Sequence, residues 1–273
     1  MSKVTKKTRI EHDPKSLKEF CQSIRAKGQS VGFTPTMGAL HDGHRSLFER
    51  SVKENDVSIA SIFVNPTQFD DKKDFEVYQR TLEADYKLLS EIGVDVVFVP
   101  EVEALYPDDY RYRVSETEFS KTLCGAHRPG HFDGVLTVVL KLLLLTTPDR
   151  AYFGEKDWQQ YRLIKGLAEA FFLATAIVPC PIVREPSGLA LSSRNQRLSA
   201  KDREIAASIY KAITNAATPL DARTLLEAKG FTVEYIEDVP DTQTARRRLV
   251  AVHFGGVRLI DNVSIRIVKA GES

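Results

Sequence analysis

The run Phe33-Thr34-Pro35-Thr36-Met37-Gly38-Ala39-Leu40-His41-Asp42-Gly43-His44-Arg45-Ser46-Leu47 dictates most of what this chain can become. A β-rich approach from Ser30 to Phe33 is broken by Pro35 and Gly38, and a helical pattern leaves from Asp42. Strand, glycine turn and helix start is the arrangement by which α/β folds present backbone N–H groups to phosphate. With a helix beginning near Asp42 or Gly43, His41 and His44 face one side of its first turn, because residues three apart are neighbours. An anion held at the positive helix end would meet both rings. Gly43 places no side chain between them. A histidine pair at this spacing can also bind a metal. No cysteine or acidic ligand follows at short range, and the phosphate-type turn favours the nucleotide reading.

Composition narrows the classes. The 273 residues suffice for one large domain or two small ones, and 42% hydrophobic with 27% charged residues is ordinary for a globular chain. A net charge of +1 leaves no basic excess for nucleic acid. Cys21, Cys124 and Cys180 are far apart and odd in number. They suit neither a disulfide framework nor a zinc site, and a reducing cytoplasm is the expected location. Residues 1–9 are basic and polar, unlike a secretory leader. The most apolar run, Val135 to Leu145, is interrupted by Lys141 and is shorter than the about 20 residues of a membrane span. It reads as a buried helix.

Helical periodicity from Pro14 to Lys27 stops at Gly28, and a second helix covers Asp42 to Glu54. Asp56 to Val64 is continuously apolar and β-branched, as in a parallel sheet covered on both faces. It ends in Asn65-Pro66-Thr67-Gln68-Phe69, beyond a strand's carboxyl end, where such sheets bind ligands. On these residues alone, a turn in which Asn65 caps Pro66 is sufficient. Asp74 to Ile92 reads as one long amphipathic helix before a strand at Val94 to Val99. Asp85 on that helix reads as part of a solvated face. Residues 101–128 are irregular, with Tyr106, Tyr110, Tyr112 and short β-like pieces. Arg128 and His131 beside Pro129-Gly130 suit anion contacts or a helix entry, and the apolar helix runs from about Phe132 to Leu145.

Ala151 to Phe153 then leads into Gly154-Glu155-Lys156-Asp157 and a helix from Trp158 to Phe172, a second phosphate-type mouth. Lys156 supplies a mobile point charge there. After a strand at Ala174 to Val183 comes Leu191-Ser192-Ser193-Arg194-Asn195. Its hydroxyls and guanidinium fork can embrace a triphosphate, and a plain serine-rich loop is the alternative. From Ser199 two helices (Ala200 to Ala217, Asp221 to Lys229) precede three strands, near Thr232 to Asp238, Arg248 to His253 and Val257 to Ile267. Gly255-Gly256 makes the last two a hairpin. Arg246-Arg247-Arg248 reads as a solvated strand start.

His41-Asp42-Gly43-His44 resembles the H-x-G-H signature of the nucleotidyltransferase superfamily, which includes class I aminoacyl-tRNA synthetases. The longer string from Pro35 to His44 is more specific. With Asn65-Pro66-x-Gln68-Phe69, Gly154 to Asp157 and Leu191 to Asn195 in order, it resembles the pantothenate synthetase (pantoate–β-alanine ligase) family over about residues 15–268. The resemblance implies an α/β fold: a Rossmann-like parallel-sheet nucleotidyltransferase domain over residues 1–183, then a smaller α+β lid domain over 184–273. It implies ATP-dependent condensation of (R)-pantoate with β-alanine through a pantoyl adenylate, in a cytoplasmic homodimer that uses Mg²⁺ and meets no nucleic acid or membrane.

Residue by residue, the resemblance assigns ATP to Met37, Gly38, Ala39, Leu40, His41, Asp42, Gly43 and His44. It adds Gly154, Glu155, Lys156, Asp157, Val183, Leu191, Ser192, Ser193 and Arg194. His44 would be the proton donor, with His41 and Lys156 also catalytic. Gln68, Gln160 and Asn65 would bind pantoate, Gln68 also β-alanine, and Asp85 the Mg²⁺ of ATP. The family often carries an amide where this chain has Leu144. Two other readings stand beside this one: a different H-x-G-H nucleotidyltransferase with another acceptor, and a non-catalytic nucleotide sensor.

Overall fold

The computed structural model describes residues 7–70 and 75–266. The chain forms two compact units, one of Met1–Glu155 with Gln159–Pro181, the other of Lys156–Trp158 with Ile182–Ser273. The expectation that residues 1–9 carry no leader, the helix start at Asp74 and the strand end at Ile267 fall wholly or partly outside the described residues.

The first unit is built on β2 (Val31–Thr36) and β3 (Val57–Ile62), parallel neighbours in a six-stranded sheet of order β1-β4-β3-β2-β5-β6. All six residues of β3 are buried, as its unbroken apolar and small sequence requires of a sheet covered on both faces. The other strands are β1 (Arg9–Glu11), β4 (Val96–Phe98), β5 (Arg150–Gly154) and β6 (Ala176–Cys180). β1 carries too little apolar pattern to be seen in the sequence. Pairing with β4, Arg9 opposite Val96, makes it a strand.

The helices follow local signals. In α1 (Pro14–Ala26) the Asp13 carboxylate accepts the Ser16 N–H at 2.7 Å and Pro14 occupies the first turn. α2 spans Asp42–Glu54, as expected. α3 is only Leu82–Ile92, shorter than the helix expected from Asp74. Phe75 and Tyr78 pack edge-on against Phe69, with ring centroids 5.3 and 5.6 Å away, and Arg80 lies over Phe75. Phe75 and Glu76 are themselves helical, so the expected helix is interrupted over residues 77–81, where these aromatic contacts lie, and resumes at Leu82. Residues 101–128 hold no strand. They form α4 (Val102–Leu105), a 3₁₀ turn (Phe119–Lys121) and α5 (Leu123–His127). The buried Gln159 amide satisfies this backbone: Oε1 accepts the Cys124 N–H at 3.0 Å, and Nε2 donates to the carbonyls of Phe119 and Thr122 at 2.9 and 2.8 Å. α6 (His131–Thr146) is the apolar helix of the core, and α7 is Trp158–Ala170.

In the second unit, α8 (Ala200–Ala206), α9 (Ser208–Asn215) and α10 (Pro219–Glu227) pack with an antiparallel sheet of β7 (Thr232–Thr242), β8 (Ala245–Phe254) and β9 (Val257–Arg266). The single helix expected over Ala200 to Ala217 is two, divided at Ala207. The β8–β9 turn places Gly255 and Gly256 at φ 57° and 72°, the left-handed pair a two-residue hairpin requires.

The solvated strand start expected at Arg246-Arg247-Arg248 is corrected at Arg248, which is 2% exposed. Its guanidinium donates to both Asp238 oxygens at 2.7 and 2.9 Å and to the Ala216 carbonyl at 2.6 Å. The end of α9 and a carboxylate together satisfy the charge that burial strands.

Candidate active site

In the first unit, the residues after β2 form a turn whose backbone only partly suits ordinary side chains. Gly38 has φ 80° and Ala39 φ 51°. The left-handed conformation costs a residue with a Cβ about 1–2 kcal/mol, so something must hold Ala39 there. The Asp85 carboxylate does so: Oδ2 accepts the Ala39 N–H at 3.0 Å and Oδ1 the Leu40 N–H at 2.8 Å. Asp85 is 3% exposed, against the solvated face expected of it.

α2 then opens with the two histidines capping one another. Gly43 N–H donates to His41 Nδ1 at 3.1 Å, and His41 N–H to His44 Nδ1 at 3.4 Å. The rings lie 4.1 Å apart between centroids. A backbone N–H can only donate, so each Nδ1 presents a lone pair and each neutral ring carries its proton on Nε2. The caps thus choose the tautomer that leaves both Nε2–H groups as donors.

Beyond β3, Asn65, Gln68 and Tyr106 form a second cluster. Asn65 Oδ1 accepts from the Tyr106 hydroxyl at 2.9 Å, from Thr67 Oγ1 at 3.0 Å and from the Thr67 N–H at 3.4 Å. Asn65 Nδ2 donates to the Gly134 carbonyl at 3.2 Å and to Gln68 Oε1 at 3.0 Å. Thr67 N–H is an obligate donor and Gly134 C=O an obligate acceptor, which fixes the Asn65 amide and through it Gln68. Gln68 therefore presents Nε2, which stands 3.3 Å from Met37 Sδ. Burial pushes the Tyr106 phenol up to about 12, so it remains a donor. The carbonyl of Gln68 accepts from His131 Nδ1 at 2.8 Å and from Arg128 Nη2 at 3.4 Å. Arg128 also pairs with Asp70 at 2.9 Å. Burial raises the Asp70 carboxyl, but the charge and hydrogen bond of Arg128, a backbone N–H and the nearby His131 together outweigh it, leaving the group below its ordinary range. α6 lies so close that a Cβ on Gly134 would stand 2.5 Å from the Thr67 carbonyl oxygen. Gly154, Glu155 and Gln160 are partly buried at the end of β5 and on α7.

In the second unit, Leu191 N–H donates to the Val183 carbonyl at 3.0 Å, bringing together two residues expected at ATP. Ser192 Oγ accepts the Arg194 N–H at 3.3 Å and caps the 3₁₀ turn Ser193–Arg197. Lys156 and Ser192 line one small cavity with Asn195 and Asp261, while Asp157 is exposed. The Lys156 carbonyl accepts from Asn262 Nδ2 at 3.1 Å, and Arg184 grips both Asp261 oxygens at 2.6 and 2.8 Å. Burial lifts the Asp261 carboxyl above its ordinary range, against the pull of Arg184. Sequence reasoning missed Tyr106, Asp261 and Arg184 around these groups, since none stands in a motif whose spacing reports a partner.

A parallel sheet with a histidine-capped helix behind its central strand defines a nucleotide-handling α/β protein. The profile of the pantoate–β-alanine ligase family matches residues 9–264, and the chain belongs to that family. It is 52% identical over 251 residues to the pantothenate synthetase of Bdellovibrio bacteriovorus, covering 92% of this chain and 98% of that one. It is 50% identical over 244 residues to that of Coxiella burnetii, covering 89% and 93%. Among solved structures, the Francisella tularensis pantoate–β-alanine ligase, described as complexed with β,γ ATP and β-alanine, superposes with a TM-score of 0.87. It is 43% identical and covers 94% of this chain and 97% of its own. The pantothenate synthetase of Thermus thermophilus gives 0.87 at 39% identity, covering 94% and 99%.

Proposed function

We infer that this chain joins (R)-pantoate to β-alanine at the expense of ATP, giving pantothenate, AMP and pyrophosphate on the route to coenzyme A. Family membership across residues 9–264 carries the reading, and no observation favours the other acceptors or a sensor.

A pantoate carboxylate oxygen attacks the α-phosphorus and pyrophosphate leaves. The β-alanine amine then attacks the acyl carbon of the adenylate, loses a proton and releases AMP. No covalent nucleophile is required, and the protein's task is placement and charge stabilisation. The Nε2–H groups of His41 and His44, with Lys156, are assigned to the α-phosphate and the leaving pyrophosphate, His44 as proton donor. Ser192, Ser193 and Arg194 are assigned to the outer phosphates. The remaining nucleotide contacts fall to Met37 to Gly43, Gly154, Glu155, Asp157, Val183 and Leu191. Gln68 offers N–H to an acceptor oxygen, which suits the carboxylate or hydroxyl of pantoate. Gln160 and Asn65 complete the pantoate set, and Gln68 also serves β-alanine.

Three of the roughly four lone pairs of the Asp85 carboxylate are engaged within the protein, by the Ala39 and Leu40 N–H groups and the Thr81 hydroxyl, which favours a part in holding the turn over ligation of magnesium. Among the described residues no three His, Cys, Asp or Glu side chains gather as a metal site. Mg²⁺ is proposed as the companion of the ATP phosphates. A homodimer, a cytoplasmic location and domains over 1–183 and 184–273 belong to the same proposal. Among the described residues no helix is long and apolar enough to cross a membrane.

The deciding experiment is pyrophosphate release with ATP, Mg²⁺ and (R)-pantoate, with and without β-alanine. Sustained release that needs both acids and yields pantothenate is expected. Release only with some other acceptor overturns the substrate assignment.

A further inference from the structure

We propose that Asp85 is a positioning residue of the nucleotide site: its carboxylate fills the backbone concavity of the Gly38–Leu40 turn and fixes the course of the chain into His41 and His44. The proposal rests on the reading of residues 37–44 as the ATP turn.

Successive N–H groups in left-handed and turn conformations form a concavity that binds anions. At Gly38 and Ala39 the chain takes that form, with φ 80° and 51°. A free phosphate is the expected occupant at such a place, but here the protein supplies its own. Asp85 Oδ1 takes the Leu40 N–H, and Oδ2 takes both the Ala39 N–H at 3.0 Å and the Thr81 hydroxyl at 3.1 Å. The carboxylate is buried, on the first turn of α3, so the grip ties that helix to the turn after β2. A Cβ on Gly38 would stand 3.0 Å from Asp85 Oδ2, so even the glycine of the motif is shaped around this carboxylate. One residue beyond the clamp, the His41 N–H enters the capping contact with His44. Loosening Asp85 therefore displaces the two histidines without touching either.

This inverts the role that the resemblance gave Asp85. A magnesium ligand must turn lone pairs toward the ion, whereas a clamp turns them toward N–H groups. The two roles differ in how they couple to Mg²⁺.

The test measures ATP binding by calorimetry to the full-length wild type, Asp85→Asn and Thr81→Val, each with Mg²⁺ and with excess EDTA. Asn keeps the shape but sets an N–H₂ against a backbone N–H. Asp85→Asn is expected to weaken ATP roughly tenfold, the scale of one charge-assisted hydrogen bond, equally in both media. Thr81→Val is expected to weaken it about two- to threefold, again equally, since one neutral hydrogen bond is lost. Steady-state kinetics of Asp85→Asn should raise the KM for ATP and lower kcat for adenylate formation, with the KM for β-alanine unchanged. A loss of ATP affinity confined to the Mg²⁺ arm makes Asp85 a metal ligand and overturns the proposal. So does wild-type ATP affinity in Asp85→Asn. Should Asp85→Asn fail to fold, the Thr81→Val pair of titrations decides by the same comparison. Wild-type protein that binds no ATP sinks the underlying reading instead.

Discussion

Asn65 Nδ2 stands 3.0 Å from Gln68 Oε1, and this one contact sets which end of the Gln68 amide is offered to a ligand. Asn65→Asp cannot donate. Gln68 should then rotate to donate its own N–H₂ inward and present Oε1 to pantoate. The KM for pantoate is expected to rise about tenfold or more, the scale of an unsatisfied hydrogen-bonding group. The KM for ATP should move far less. Unchanged pantoate kinetics would remove the polarity argument.

His44→Asn separates the two duties of that ring. Asparagine can still offer an acceptor near the His41 N–H, but it has no equivalent of Nε2–H. The helix cap should survive, with a near-normal thermal midpoint. Adenylate formation should fall by roughly 10²-fold, as for the loss of one positioned donor to developing charge. Stopped-flow pyrophosphate release reads the step directly.

Gly134→Ala puts a methyl group against backbone. Its Cβ would meet the Thr67 carbonyl at 2.5 Å and the Gln68 Cα at 2.7 Å. Neither can swing aside as a side chain would, so α6 and the Pro66–Gln68 turn must part. The expected cost is about 1–3 kcal/mol in denaturant unfolding, with weaker pantoate binding than the lost stability alone explains.

Arg248→Ala removes a buried cation and leaves the half-buried Asp238 facing an empty site. Loss of one partner of a buried pair costs about 3–5 kcal/mol, and the partial exposure of Asp238 places this case at the lower end. Thermal unfolding of this variant should show a large drop, while Arg246→Ala, at an exposed position, should shift little.

Alkaline titration should report the buried phenols. Tyr106 and Tyr152 are pushed up to about 12 by burial, whereas an unfolded tyrosine ionises near 10. The folded state holds its phenol protons longer. Their contribution is complete below about pH 10 and is lost as pH rises toward 12, at about 1.4 kcal/mol per unit for each group. Tyr106→Phe should therefore lose stability less steeply than wild type between pH 10 and 12.

Much of the frame of both units was legible because its signals are local. α2 begins at Asp42 and ends at Glu54 as its periodicity requires, and the β8–β9 hairpin turns at its glycine pair. What escaped depends on partners distant in the chain. β1 is a strand only beside β4, and Arg248 is internal only because α9 ends beside it. Asp85 looks like surface until the turn 45 residues earlier is folded against it. Spacing finds residues that share an element and is blind to a carboxylate that reaches across to another.

The place of β1 carries a consequence for synthesis. Arg9 is synthesised long before its pairing partner Val96, in β4. At the ribosome's pace of about 5–20 residues per second, that edge waits roughly ten seconds for its neighbour. The early segment must stay unpaired while α1, β2, α2 and β3 assemble behind it. Its short, polar, charged character, with Arg9 and Glu11 in a three-residue strand, keeps it from templating another chain meanwhile.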